Sequence, residues 1–357
     1  MIRVLALTRY SRSAASSRQR FLMFTDFLAA NGIEVTAQPF FEESYITLLN
    51  AGDRPHYGQL LRDYTRRVRA LASRKLYDVI WIEKEAIPFC PARLEQFLLG
   101  KARVLLDLDD AWHLRYATGR ISDGLLGNKM QRIAKGATVL AVANEGLEDW
   151  SRTQGTDPER TSLLPTGLDV DRYAVAPEPA GPFTLAWIGG PFTAPYLASI
   201  AEPLRRLSAE GVRLLVIGET HKIPGFEDIS KEQHPWSEAT ETELLSRCHV
   251  GLNPLPDDEW CRFKSGYKLI QYMAAGRAAV ASPVGANKWV LQGGETGLFA
   301  TTDTEWYTAV NRLRADAALR QRLAANGRRR AEEVFSINAV GSKLVTLIKT
   351  AAAAPHD

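Results

Sequence analysis

Cysteine is scarce: Cys90, Cys248 and Cys261 are the only three in 357 residues. An odd number, without the paired spacing of zinc or redox motifs, argues against a disulfide framework and a structural metal site, and reads as reduced thiols in a reducing compartment. Long apolar runs are missing too. No stretch approaches the roughly 18–20 residues of a membrane span, and the opening MIRVLALTRYS turns polar too early for a signal peptide and reads as a first strand. A cytoplasmic protein is therefore expected. Charge of one sign is also lacking, the formal net charge being +3. With no aromatic-interleaved basic surface and no recognisable motif, nucleic acid is not an expected partner. The exception is local: LLRDYTRRVRALASRKLY (60–77) gathers Arg62, Arg66, Arg67, Arg69, Arg74 and Lys75 on a helical repeat whose apolar stripe is Leu60, Leu61, Tyr64, Val68 and Leu71. Such a helix either packs on a sheet with its basic face in water or touches an anionic membrane, which would hold the protein peripherally on the inner face.

What the chain does have is alternation. The apolar runs IRVLAL (2–7), IEVTAQPF (33–40), DVIWIE (78–83), RVLLDLDD (103–110) and TVLAVAN (138–144) are separated by helical patterns, as in RQRFLMFTDFLAANG, where Phe21, Phe24 and Leu28 share a face and Gly32 ends the helix. Strands alternating with helices predict a parallel sheet covered on both faces. Around 164–182 the pattern breaks at Pro165, Pro177, Pro179 and Pro182, with no periodic apolar face, and reads as a linker. The alternation then resumes with FTLAWIG (183–189), VRLLVIG (212–218), VGLNPL (250–255) and AAVASPV (278–284). The predicted fold is α/β, with two doubly wound, Rossmann-like parallel-sheet domains facing each other across a cleft. They would span 1–165 and 183–334, joined by the linker 166–182 and followed by a last helix over 335–357, free to cross back to the N-terminal domain. Ligands in such sheets settle outside the carboxyl ends of the strands.

The most informative stretch is PDDEWCRFKSGYKLIQYMAAG (256–276). Ser265 is a good helix N-cap, Gly266 and Tyr267 would open the first turn, and Gly276 would close the helix. Arg262, Lys264 and Lys268 flank that N-terminus, so amides, helix dipole and cations converge where a phosphate or diphosphate would fit; the plain alternative is a capped helix with lysines in water. In WIGGPFT (187–193), Gly189 and Gly190, followed by Thr193, mark a close approach of backbone to a neighbour or a ligand. Trp236, in EQHPWSEATETELL (232–245), either stacks on a nucleobase or plugs the core.

Together LLPTGLDVDRY, LAWIGGPFTAPYL, the run 251–300 and LRQRLAANGRRRAEEVFS resemble the C-terminal donor domain of the group-1, retaining glycosyltransferases with the GT-B fold. SAASSRQRF, WIEKEAIPF and LLDLDDAW are similar to the acceptor domain of one bacterial branch of that family. The resemblance spans nearly the whole chain and is most specific in 250–300. It implies transfer of a sugar from a nucleotide-diphosphate donor to a glycan, lipid-linked or small-molecule acceptor, with retention at the anomeric carbon, no metal or other cofactor, and a place in bacterial surface polysaccharide or glycoconjugate synthesis. The family motif has two Glu eight residues apart, for the sugar hydroxyls and the ribose; here those positions are Phe263 and Gln271. Gln271 can still hydrogen-bond a ribose hydroxyl, and Asp258 or Glu259 stands near for the sugar. On this reading Lys264 and Lys268, with the amides near Gly266, stabilise the leaving diphosphate, and Gly189, Gly190, Thr193, Trp236, Arg262, Ser265, Tyr267 and Gln271 line the donor site. The two missing Glu keep open a non-catalytic scaffold in a glycan-assembly complex, and a nucleotide-sugar epimerase is the nearest enzymatic alternative.

RVLLDLDDAWH (103–113) ends a strand in three acids, Asp107, Asp109 and Asp110. A phosphatase of the haloacid-dehalogenase kind would use Asp107 as nucleophile and Asp109 as acid, but normally follows the second Asp closely with Thr or Val, where this chain has Asp110, Ala111 and Trp112, and its metal-holding pair, Asp257–Asp258, would lie across the linker. A manganese-dependent transferase would leave the second domain without a purpose. In the remaining reading Asp109 and His113, with Asp107, Asp110 and Glu83 nearby, orient an acceptor hydroxyl or draw off its proton, although an Asp at a strand end also caps turns. Ser16, Ser17 and Arg18 in the loop 9–18 would bind acceptor phosphate or cap the helix that follows.

Overall fold

The computed structural model describes residues 1–50, 57–116 and 123–355. The chain divides into two compact units, Met1–Gly167 with Ile337–Asp357, and Leu168–Ser336. In the first unit β1 (Ile2–Tyr10), β2 (Ile33–Phe41), β3 (Val79–Glu83), β4 (Val104–Leu108), β5 (Val139–Val142) and β6 (Thr161–Leu163) form a parallel sheet in the order β2-β1-β3-β4-β5-β6. In the second, β7 (Thr184–Ile188), β8 (Arg213–Ile217), β9 (Lys231–His234), β10 (Val250–Asn253), β11 (Ala278–Ala281) and β12 (Leu298–Phe299) form another, in the order β12-β11-β10-β7-β8-β9. Strands buried on both faces need near-continuous apolar runs. Along β7, for instance, Leu185 and Trp187 enter one core with Val216 and Trp306, while Ala186 and Ile188 enter the other with Leu269 and Phe335. In both sheets the strand order reverses beside the first strand, between β1 and β3 and between β7 and β10. Loops leaving two such strands diverge and open a crevice at the carboxyl edge.

In the first unit Phe21, Phe24 and Leu28 share a core with Val340, Leu344 and Ile348 of the helix Ile337–Ala353. Right-handed crossovers carry the helices Tyr57–Ala72, Ala92–Leu99 and Lys129–Lys135 to the opposite face, where neighbours pack side by side. The stretch 166–182 is not a free linker. Leu168, Val170 and Tyr173 are buried in the second unit, the Leu168 N–H donates to Phe335 O at 2.7 Å, and Arg328 donates to Tyr173 O at 2.6 Å. Three apolar residues are too few to display a period, yet enough to seat a segment.

The apolar stripe expected in the basic helix also divides. Leu71 is buried and Leu60 and Tyr64 half-buried, whereas Leu61 and Val68 stay in solvent. Arg67 goes inward instead: fully buried, it donates to Thr8 O at 2.6 Å, Gln38 Oε1 at 2.6 Å and Ala86 O at 2.7 Å, tying together β1, β2 and the chain just beyond β3. Burial pushes its guanidinium down to about 9. An arginine is admitted here because its planar fork supplies donors to several acceptors at once. Arg67→Ala leaves those acceptors short of donors and is expected to cost about 3 kcal/mol in urea denaturation, against about 0.5 kcal/mol or less for exposed Arg69→Ala; equal losses would refute the buried role.

Candidate active site

The helix Tyr267–Ala274 leaves the carboxyl edge after β10, next to the β7/β10 reversal. Its N-cap is Gly266 rather than Ser265. Gly266 takes a left-handed φ of 68°, and no side chain caps the helix. A Cβ on Gly266 would stand 3.1 Å from Asn287 Oδ1 and Val290 Cγ2, so both the turn and the space require glycine. Ser265 thus lies one residue too early to cap. Lys264 precedes the helix and Lys268 lies in its first turn, the Lys268 ammonium 5.3 Å from the Trp187 ring centre and that of Lys264 5.4 Å from the Trp260 ring. Burial, then the charge of Lys264, lowers the Lys268 pKa to about 8, against a smaller raising influence of Cys261. An anion at this helix N-terminus would relieve the repulsion between the two lysines.

Trp187 connects this point to the loop after β7. A Cβ on Gly189 would fall 2.5 Å from the Trp187 ring and 2.7 Å from Thr193 Oγ1, while one on Gly190 would meet nothing within 4 Å. Gly189 therefore serves packing, and Gly190 borders open space. The Thr193 hydroxyl donates to Gly190 O at 3.1 Å and closes the turn. After β8, the backbone at Gly218 passes so close to Gly189 O that a Cβ would stand 2.6 Å from it, and 3.5 Å from Cβ of Trp236, just past β9. Trp236 is half-buried against the core; its indole N–H donates to Glu241 Oε2, and the Tyr173 hydroxyl donates to Glu241 Oε1. Glu241 and Gln271 are both buried, Gln271 bonding Tyr173 as well. Arg172 pairs with Glu238 at 3.1 Å in the same loop as Trp236. Tyr173 and Glu241 carry no signal in the sequence, because they meet only once the 168–173 stretch has packed. Arg262, expected on the donor side, pairs with exposed Asp257 at 2.7 Å, and Asp258 accepts the Cys261 N–H at 2.7 Å. Residues three and five apart in one short loop satisfy each other locally.

At the β1/β3 reversal, Ser16, Ser17 and Glu83 do come together. Glu83 accepts from Ser16 Oγ at 2.7 Å, Ser17 Oγ at 2.6 Å and the Arg9 N–H at 2.8 Å, and is itself buried. Arg18 donates to the carbonyls of Arg12 and Ser13 at 3.1 and 3.3 Å. These groups close the 9–18 loop onto β3. Asp107 pairs in register with Glu83 and binds Arg20 at 2.7 Å; burial outweighs that arginine and pushes its carboxyl up to about 6. Asp109 and Asp110, just past β4, are only half-buried. Lys84, in a left-handed conformation at φ 64°, reaches Asp109 at 3.1 Å and Glu83 at 3.4 Å. Burial alone would raise the Asp109 carboxyl, but Lys84 and then Arg20 hold it below its ordinary value. Deeper still, Glu85 accepts from Arg9 at 2.7 Å, Trp112 Nε1 at 3.1 Å and Lys129, which also reaches Glu95 at 3.1 Å. Sequence reading missed Arg9, Lys84, Glu85, Glu95 and Lys129; the run Glu83-Lys84-Glu85 at a strand end was the available signal. His113 stacks on Trp150 at 4.5 Å, and burial lowers it to about 4, so it is neutral at neutral pH. Among the described residues, no group of three or more His, Cys, Asp or Glu is placed to hold a metal ion.

Two doubly wound parallel sheets, with an anion-ready helix at the strand reversal of the second, define the GT-B architecture. The Anabaena protein HepE, in complex with UDP and glucose, shares it at 13% identity over 98% of this chain and 100% of that one, with a TM-score of 0.72. So do sucrose-phosphate synthase from Thermosynechococcus elongatus (15% identity, 99% and 100% covered, TM-score 0.73) and WaaG, a glycosyltransferase involved in lipopolysaccharide biosynthesis (16% identity, 97% and 99% covered, TM-score 0.70). Residues 192–316, which include Lys264, Gly266 and Lys268, match the family model of the glycosyl transferases group 1. The chain thus carries a group-1 glycosyltransferase domain. No curated protein matches it in sequence.

Glu241→Ala strands two donors, the Trp236 indole and the Tyr173 hydroxyl, and is expected to cost about 2–4 kcal/mol; an unchanged urea midpoint would disprove the clamp. A histidine at about 4 when folded, against about 6.5 unfolded, contributes stability present above pH ~6.5 and lost as pH falls towards ~4. NMR titration should find the His113 ring neutral at pH ~5.5, and protonation near 6.5 would contradict its burial.

Proposed function

We propose that the protein transfers a sugar from a nucleoside diphosphate sugar to a hydroxyl of a glycan, lipid-linked or small-molecule acceptor, with retention at the anomeric carbon and without a metal, in the building of a bacterial surface polysaccharide or glycoconjugate. The observation that carries this reading is the Lys264–Gly266–Lys268 constellation, two cations at one helix N-terminus, with Lys268 lowered to about 8 by burial and by Lys264. In the reaction, the bond from C1 to the diphosphate oxygen breaks and the acceptor oxygen bonds C1 on the same face. The acceptor proton passes to a phosphate oxygen. The charge released on the diphosphate falls where Lys264, Lys268 and the first-turn amides stand, and preplaced donors stabilise it most where water is excluded. Gly190 leaves room for that diphosphate. Trp236, fixed by Glu241, offers its ring to the base, and the HepE complexes with UDP and UDP-glucose make uridine the base to try first. On the acceptor side Asp109, kept ionised by Lys84, and Asp110 orient the incoming hydroxyl. Neutral His113 lies nearby in sequence and can hydrogen-bond the same hydroxyl.

The decisive measurement is thermal stability with UDP, GDP, dTDP and ADP, each with magnesium and with EDTA, for the wild type, Lys264→Ala and Lys268→Ala. One nucleotide at about a hundred times its dissociation constant should stabilise by about 2.7 kcal/mol, survive EDTA, and lose most of its effect in either variant. No response to any nucleotide would sink the donor reading and favour the scaffold; a response requiring magnesium would overturn metal independence. A bound diphosphate must also raise Lys268 from about 8. Titration calorimetry at pH ~8.5 in buffers of different ionisation enthalpy should therefore show proton uptake on binding that is absent in Lys268→Arg.

A further inference from the structure

The helices Tyr57–Ala72 and Ala92–Leu99 pack side by side on the first unit. Their outward faces are apolar and basic at once. Tyr57 is 92% exposed, Leu61 70% and Val68 42%, at positions four, seven and eleven apart that share one helix face; on the neighbouring helix Leu94 is 49% and Phe97 77% exposed. Arg62, Arg69 and Arg93 are exposed beside them. The only carboxylates of the two helices turn inward, Asp63 buried against Arg66 at 3.0 Å and Glu95 against Lys129 at 3.1 Å. Neither helix thus places an acid of its own on its outward face, and exposed Glu42, just past β2, pairs with Arg66 at 2.8 Å.

The two helices also end together. Arg74 stands 3.1 Å from the place a Cβ on Gly100 would take, at a groove of about 530 Å³ lined by Arg74, Lys75, Lys101 and Arg103. Asp78, the acid of that groove, is engaged by the Arg3 N–H at 2.7 Å. Leu76, 58% exposed, adjoins it in sequence.

A face meant only for water needs the arginines but not the large apolar side chains, whose exposure on two adjacent helices costs free energy that burial would recover. A second copy of the chain would bring like charges together. A bilayer rich in anionic headgroups meets both demands, taking apolar side chains into the headgroup boundary and arginines onto phosphates. We propose that this face docks the protein on an anionic bilayer surface, with Leu61, Val68 and Phe97 entering the boundary and Arg62, Arg69 and Arg93 on the headgroups. Docking of this kind lies in the interface plane; among the described residues no helix is long and apolar enough to cross a membrane.

Co-sedimentation of the full chain with phosphatidylcholine vesicles, with and without phosphatidylglycerol, tests it. The wild type should sediment with the anionic vesicles only, and less at high salt. Arg62→Gln, Arg69→Gln and Arg93→Gln should each weaken partitioning on the order of fivefold, and Leu61→Ser with Phe97→Ser by about tenfold or more. All five positions are exposed, so unfolding midpoints should stay unchanged. Sedimentation with neither vesicle, or equally with both, or insensitive to the arginines overturns the proposal. So does a dimer, seen by light scattering, that Phe97→Ser dissociates, which would give the face to a second copy. The readout uses no nucleotide and should survive Lys268→Ala, so a chain that binds vesicles but no nucleoside diphosphate would sink the donor-site reading alone.

Discussion

A parallel sheet delivers every strand to the same edge, and the placement of chemistry in this protein depends on that constraint. Because a strand cannot turn back directly to a parallel neighbour, helices must carry the chain across, and the crossovers change direction once in each sheet. At that change two adjacent loops part. In the first unit they are the loop 9–18 and the turn Glu83-Lys84-Glu85; in the second they are the loop 189–193 and the approach to the helix Tyr267–Ala274. The same geometry serves both units, and what differs is how each treats the charges it gathers there.

In the first unit, charge is balanced from within. Glu83 has three donors, Glu85 has two cations and two neutral donors, and Lys84 lies between Glu83 and Asp109. Burying an ion is tolerable only when its partners are in place, so most of this cluster is scaffold, with Asp109 and Asp110 at its half-buried rim. In the second unit the balance is incomplete. Lys268 is desolvated and repelled by Lys264, and its basicity falls accordingly. A point where two cations meet a helix N-terminus is suited to an anionic ligand.

Legibility followed the length of each pattern. Strands such as 2–7 and 183–189 and the helix after VGLNPL were readable because burial on two faces, or a helical period, writes itself into consecutive residues. Single residues at junctions were not. Ser265 looks like a cap by type, but the backbone turns at Gly266, whose left-handed φ no sequence period announces. Arg67 is one arginine among five in a basic segment, and only the oxygen acceptors arriving from β1, β2 and the chain beyond β3 mark it as core. Prolines in 166–182 suggested a linker, and Leu168, Val170 and Tyr173 anchor it in the second unit. On the surface, Leu94 and Phe97 could not be known as exposed until their helix found its neighbour.

The glutamine at 271 has a physical explanation in the same cluster. Where the resembling family places a carboxylate at this position, Gln271 bonds a Tyr173 whose single O–H is already given to Glu241. The tyrosine oxygen can then only accept from residue 271, and an amide N–H can donate where an ionised carboxylate cannot. A glutamate at 271 would also add a second buried negative charge close to Glu241, and one of the two would have to take up a proton. The negative charge of this corner comes from Glu241, on a different helix, and that charge orients Trp236 through its indole N–H. Loss of the family carboxylate is therefore coupled to the tyrosine–glutamate clamp, and it weighs less against a catalytic role than it does when the motif is read alone.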